Sequence, residues 1–370
     1  MLSHFKLVDE IQFKELDTYA LNDEELVECV MRCELPDGSG GVAERFVVGT
    51  AYLDDQNATA ERGRIIILEV TPERVLKLVT EIAVKGGCRC LAICEGKIVA
   101  ALIKTIVVYD VEFRTQSSPD LVKLASFRCS TAPIDVTVNG TMIAIADLMK
   151  SLAVVEYTKG EAGLPDKLVE VARHYQTTWA TSVAEIDTNT FLESDAEGNL
   201  MVLYRDPKGV TDDDKRRLNV SSEMLLGEMV NRIRRIDVLT TPDAAVVPRA
   251  FVGTVGLPNN TCHARILTYI QVEGSIYLFG LISPTHQNLL MTLQSNLGAL
   301  VETPGDMIFA KFRAFKNTVR EEEEPMRFVD GELVERFLDV SEDIQREAIA
   351  GLGVELEEVK GMIEGLRRLH

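Results

Sequence analysis

The chain has 370 residues, 46% hydrophobic and 26% charged, which is enough apolar material for a large core and excludes disorder and collagen-like repeats. Its 58 acidic against 39 basic residues give a formal charge of −19, which disfavours direct, broad binding to phosphate backbones and leaves only a local basic patch open. No apolar run approaches the roughly eighteen residues of a membrane span, and the opening MLSHFKLVDE lacks the basic-then-apolar order of a secretory signal, so an intracellular protein is expected.

From about residue 45 to 285, short runs of Val, Ile, Leu and Ala are punctuated by Gly, Asp, Asn and Ser, the all-β signal. RFVVGTAYL (45–53) pairs with GRIIILEV (63–70), KIVAALI (97–103) with KTIVVYDVE (104–112), and MIAIADLM (142–149) with KSLAVVEY (150–157). TFLESDAEGNLMVLYR (190–205) and RAFVGTVG (249–256) continue the series. Matching points near 97, 142 and 190 recur at the 45–50 residue period of one four-stranded propeller blade, and about five such units are expected. A series of β-sandwiches is the alternative on periodicity alone, but a propeller better explains the many β-branched strands and turn residues.

After about 285 the period changes. QNLLMTLQSNLGALVE places Leu289, Leu290, Leu293, Leu297, Leu300 and Val301 on one helical face, ended by Pro304 and Gly305. A second helix is expected over DMIFAKFRAF (306–315), then a solvated acidic loop at EEEEP (321–325). In the tail, Leu333, Val334, Phe337 and Leu338 line a first helix, Gly351 and Gly353 break the chain, and Leu356, Val359, Ile363 and Leu366 line a last helix. Acidic residues open that helix and Arg367 and Arg368 close it, which suits its dipole. The expected division is a propeller-like region over 1–285 and a helical domain over 286–370.

Catalytic patterns are missing. There is no G-x-S-x-G, H-E-x-x-H, Walker loop or helix-opening G-x-G-x-x-G, and the five histidines have no ligand spacing. Asp110, Asp147 and Asp195 recur near strand ends, where turn chemistry explains them. The seven cysteines read as reduced core thiols; C-R-C-x-x-x-C at 88–94 has no second Cys/His pair at zinc-finger distance, so neither metal nor cofactor is expected. Propellers also host hydrolases, and that class stays as a remote alternative. The lone tryptophan stands out: ARHYQTTW sets Arg173 and Trp179 six residues apart on a connection between strand units. Trp179 is either a residue packed between blades or part of an interface, where Arg and Trp are enriched.

ARHYQTTW, SVAEIDTNTFLESDAEGNLMVL (182–203), LLGEMVNRI (225–233), FVGTVG (251–256) and FVDGELVERFLDVS (328–341) together resemble the C-terminal third of the damaged-DNA-binding adaptors of cullin 4 ubiquitin ligases. The resemblance runs in order from about residue 20 to the end. Large subunits of the splicing and the cleavage-and-polyadenylation machinery share the V-D-G-E-L tail, but GEMVN and A-R-x5-W look closer to the ligase adaptors. The resemblance implies a mainly β chain: most of a seven-bladed propeller of WD-like blades, the third in the family, followed by a small C-terminal helical domain. The cullin-binding second propeller and the first are not represented.

What the resemblance implies for function is a non-enzymatic scaffold docking WD-repeat substrate receptors, in ubiquitin-dependent repair and turnover. It is expected to be nuclear, with a cytoplasmic pool left open. Any cullin contact would run through propellers absent here, and any DNA contact through a partner. Arg173 and Trp179 match the docking pair of A-R-x5-W, Met229 and Asn231 match G-E-x-V-N, Val255 matches F-G-T-V, and Val27 matches a small apolar docking residue on weaker local similarity. Pro133 and Asp135 in APIDV depart from an apolar stretch of the family and are expected to alter part of that surface. The alternative function is an RNA-processing large-subunit relative of the same superfamily.

Overall fold

Strands with both faces covered lose the in/out alternation of half-buried ones, and the central runs here are apolar throughout. In the computed structural model, which describes residues 3–53, 61–113, 119–161, 163–236, 266–271 and 276–368, these runs form the middles of antiparallel four-stranded meanders. A hairpin, β1 (His4–Val8) and β2 (Glu15–Ala20), precedes the first sheet: β3 (Glu25–Pro36), β4 (Val42–Tyr52), β5 (Arg62–Val70) and β6 (Leu76–Lys85). The second holds β7 (Cys90–Cys94), β8 (Lys97–Ala101), β9 (Thr105–Glu112) and β10 (Asp120–Arg128). The third holds β11 (Pro133–Asn139), β12 (Met142–Asp147), β13 (Ser151–Thr158) and β14 (Lys167–Arg173). The fourth holds β15 (Ala180–Asp187), β16 (Thr190–Asp195), β17 (Asn199–Arg205) and β18 (Leu218–Leu225). Among the described residues a fifth sheet has three strands, β19 (Val230–Ile236), β20 (Ile266–Gln271) and β21 (Ile276–Phe279).

The chain forms two compact units, Met1–Arg173 and His174–His370. The change from strands to helices near residue 284 lies inside the second. Within the first unit, the opening strands β3, β7 and β11 of successive sheets lie side by side; within the second, β15 and β19 do. Radial stacking of meanders through their first strands is the propeller arrangement, so the fold is mainly β, a partial propeller followed by helices. β structure begins well before residue 45. ELVECVMRCELP alternates Val27, Cys29, Met31 and Cys33 with the exposed Glu28, Val30, Arg32 and Glu34, and this period-two pattern becomes β3.

Core layers lie between the sheets. Val47, Ile65 and Ile67 pack with Leu91, Ile98 and Ala100, and the other face of the second sheet, Val99, Ile106 and Val108, packs with Ile143, Ile145 and Val155. Cys88, Cys90, Cys94 and Cys129 are buried in these layers. The two-residue turn between β7 and β8, Glu95 and Gly96, has positive φ at both positions, the primed turn that suits a twisted hairpin.

In the second unit, α1 (Asp212–Arg216) is a single turn with a Thr211–Asp214 capping box. The long α2 (Pro284–Leu300) buries Leu290, Leu293 and Leu297 completely, with Leu300 and Val301 partly covered. The second helix expected over 306–315 shortens to one turn, α3 (Phe309–Arg313), because Gly305 and Asp306 take positive φ and Met307 and Ile308 then run extended. α4 (Gly331–Glu335), a 3-10 turn at Arg336–Leu338, α5 (Glu342–Ala348) and α6 (Leu356–Arg367) follow, with Gly351 and Gly353 in left-handed conformation between the last two. Val359 and Ile363 anchor α6 in the same core as α2.

Candidate partner-docking surface

Trp179 sits one residue before β15. Its neighbour Thr178 is buried and donates to Glu193 Oε1 at 3.0 Å, and the Trp179 carbonyl accepts from Ala196 N at 2.8 Å. The backbone is therefore fixed on both sides, yet Trp179 is 54% exposed. A tryptophan packed between blades would be covered; this one, on anchored backbone, is left open to solvent.

Met229 and Asn231 flank Val230, the buried first residue of β19. The Val230 carbonyl accepts from Thr181 Oγ1 at 2.6 Å, and Ile233 N donates to Ser182 Oγ at 2.9 Å, so the opening residues of β15 and β19 are stitched together. Trp179, Met229 and Asn231 thus come from the starting ends of two adjoining strands, with Asn231 exposed and Met229 half-buried.

Arg173 closes β14 in the first unit. Its Nε and Nη2 donate to Glu170 at 2.9 and 2.6 Å, and its Nη1 donates to Ser130 Oγ at 2.6 Å. This fork holds the guanidinium in one orientation. Beside Ser130, Thr131 hydrogen-bonds Asp147 and accepts from Met149 N at 3.2 Å, which leaves Met149 exposed on the turn between β12 and β13. Met149 and Tyr175, both exposed, were not singled out by the sequence; each is an ordinary turn or linker residue there, and only its exposure marks it.

Val27 is half-buried in β3 and packs against the Leu21, Val48, Ile66 and Leu68 cluster, so much of its side chain serves the core. Val255 lies outside the described residues. Pro133 and Asp135 were expected to alter the surface, but both are buried: Asp135 lies 3.2 Å from Cys90 Sγ inside the sheet layers. Asp147 and Asp195 do what turn residues do, accepting from Met149 N and from Glu197 N and Asn199 N, respectively. Asp110 instead ion-pairs with Lys97 at 2.8 Å. Among the described residues no group of three or more His, Cys, Asp or Glu could hold a metal ion, and no helix is long and apolar enough to cross a membrane.

The CPSF A subunit region matches residues 2–339 of this sequence. This chain belongs to that family. Within it, the chain is 28% identical over its whole length to DNA damage-binding protein 1 of Oryza sativa subsp. japonica, and 28% identical over 99% of its length to DNA damage-binding protein 1a of Arabidopsis thaliana. DNA damage-binding protein 1 of Schizosaccharomyces pombe is 27% identical over the full chain. The chain spans about a third of the length of these curated relatives, 32% in each case.

Proposed function

We propose that this chain is a non-catalytic adaptor whose exposed Trp179, with Met229 and Asn231, docks a helical segment of WD-repeat substrate receptors of cullin 4 ubiquitin ligases. The observation that carries the reading is the exposure of the sole tryptophan on backbone fixed at Thr178 and Ala196. Arg173 belongs to the same function, its guanidinium held ready by Glu170 and Ser130. The relatives are named for binding damaged DNA, not for a reaction, which supports a nuclear scaffold in repair with a cytoplasmic pool left open. The net acidic charge favours DNA contact through a partner rather than through this chain, and the reading gives this chain no cullin contact of its own. An RNA-processing large-subunit role is the second reading, kept by the family description itself; co-purification with cullin receptors or with splicing proteins separates the two.

The test titrates a receptor helix peptide while following Trp179 fluorescence. Truncating an aromatic anchor typically costs roughly 2–4 kcal/mol, at least about thirtyfold in affinity. Trp179→Ala, followed with a labelled peptide, should lose that much, and Arg173→Ala and Asn231→Ala should each weaken binding with unchanged circular dichroism. Unchanged fluorescence on titration, or variants that bind like the parent, would overturn the docking assignment.

A further inference from the structure

A pocket of about 230 Å³ opens among the helices of the second unit. Its apolar walls are Met307, Phe309, Phe312 and Leu333. The local chain explains why it is open. Positive φ at Gly305 and Asp306 and the extended Met307 and Ile308 prevent a continuous helix, so α3 is one turn and cannot cover its own apolar side chains. Met307, Ile308 and Phe312 are left 48%, 70% and 48% exposed within six residues, a concentration of apolar surface that marks interaction sites.

The charges at its base are already engaged. Arg313 donates to Asp330 Oδ2 at 2.6 Å and to the Leu226 carbonyl at 3.0 Å, both inside the protein. The base therefore offers shape and apolar contact. Since roughly 150 Å³ suffices for benzene in an apolar protein cavity, 230 Å³ admits one aromatic side chain.

The rim carries an excess of negative charge. Exposed Glu332 meets Arg313 only at 3.5 Å, and Lys311 of α3 meets Glu323 of the acidic run only at 4.0 Å, with the Glu323 side chain 90% exposed. Exposed Glu324 follows Glu323, and exposed Asp306 precedes Met307. Against these stand Lys311 and Arg336. We propose that this pocket binds an aromatic side chain of a partner peptide whose flanking residues are lysine or arginine. The aromatic ring fills the space between Phe309, Phe312 and Leu333, and the flanking cations pair with Glu332, Glu323 and Glu324, since Glu321 and Glu322 are already paired with Lys316 and Arg320.

The probe is a fluorescein-labelled peptide with one central Phe and two Lys or Arg on each side, titrated into the full chain by anisotropy. Replacing the peptide Phe by Ala, or its basic flanks by Glu, should weaken binding at least about tenfold. Phe312→Ala should do the same, and Glu323→Lys with Glu324→Lys should weaken binding and reduce its salt dependence. Met307→Ala, an exposed substitution on the other wall, serves if Phe312→Ala does not fold. Trp179→Ala should leave the affinity unchanged, which separates this pocket from the receptor-docking surface. Equal binding of the Phe and Ala peptides, no effect of either wall variant, loss of binding with Trp179→Ala, or no saturable binding by the parent would overturn the proposal.

Discussion

The two units solve the same packing problem with different means. In the first, sheets follow one another along the chain and are joined by facing layers of Val, Ile and Leu; its main buried charge, Glu25, is satisfied within one sheet, by Arg64 and Thr50. In the second, distant segments are latched by polar side chains. Asn199 donates to the Lys316 carbonyl at 2.8 Å and accepts from Lys316 N at 3.1 Å, Ser222 donates to the Arg327 carbonyl, and Arg313 reaches Leu226. Apolar layers are enough where each sheet meets the next in sequence. In the irregular segment 313–330 backbone pairs with backbone at isolated bridges, Glu223 with Met326 and Lys316 with Glu321, so side chains satisfy groups that those bridges leave open.

The largest expected effects come from breaking one buried ion pair in each unit. Arg64 holds Glu25 through Nε at 2.9 Å and Nη2 at 2.5 Å, and Glu25 is fully buried. Burial pushes the Glu25 carboxyl up, but the Arg64 and Thr50 hydrogen bonds overcome it and hold its pKa below the usual range. Arg64→Met should cost about 3–5 kcal/mol by leaving that carboxylate uncompensated. Arg313→Met should cost a similar amount by exposing Asp330 to the same fate. Hydrogen exchange locates each loss: the first variant should lower protection mainly within 1–173, the second mainly within 174–370. A loss spread evenly over both, or below about 1 kcal/mol, contradicts this account.

A pH dependence separates the units further. His174 is buried in the second unit, and burial first, then the charges of Arg320 and Arg217, lower its pKa from 6.5 to about 4. A histidine that stays neutral when folded gives stability that is full above about 6.5 and is lost as pH falls towards 4, because the unfolded chain takes up the proton first. At 1.36 kcal/mol per unit the whole window is worth about 3 kcal/mol. Denaturant titrations from pH 7 to 5 should show the parent losing stability more steeply than His174→Gln; parallel curves would show that the imidazole is not held neutral.

Next in size is Asn199→Ala, which leaves both Lys316 backbone groups unpaired and should cost roughly 1–2 kcal/mol. No comparable latch could be read from the sequence, since Asn199 and Lys316 lie far apart along the chain. The blades were legible because four repeats of strand, turn and strand write the same period again and again, and the α2 stripe because Leu290, Leu293 and Leu297 keep helical spacing. The helix expected at 306–315 failed because periodicity ignores the backbone of Gly305 and Asp306. β3 was missed because exposed Val30 interrupts the polar side of its alternation, and the strand lacks the continuous apolar run of the buried ones. At the candidate site, Arg173, Trp179 and Asn231 were visible as residue types in a pattern, but the exposure that favours an interface over a packing role for Trp179 is a property of the folded chain.

The smallest effect is a rate difference, and it tests the division into units directly. Every described cysteine lies in the first unit, whereas Trp179 lies in the second. Burial pushes the Cys33 and Cys94 thiols up to about 11 and the Cys129 thiol up to about 12, and Cys88 is raised by its hydrogen bond with Cys29 and by burial. Because the thiolate is the reactive form, a thiol moved from 9 to 11 holds about a hundredth as much of it at neutral pH, before any loss of access. In a Cys262→Ser background, iodoacetamide should therefore modify Cys33, Cys94 and Cys129 at least about a hundredfold more slowly in the folded chain than in urea. Labelling then reports opening of the first unit, and Trp179 fluorescence reports the second. Arg64→Met should speed labelling while the fluorescence midpoint stays in place, and Arg313→Met should do the reverse. If either variant shifts both signals together, the two units unfold as one, and separate layers and latches are two descriptions of a single cooperative core.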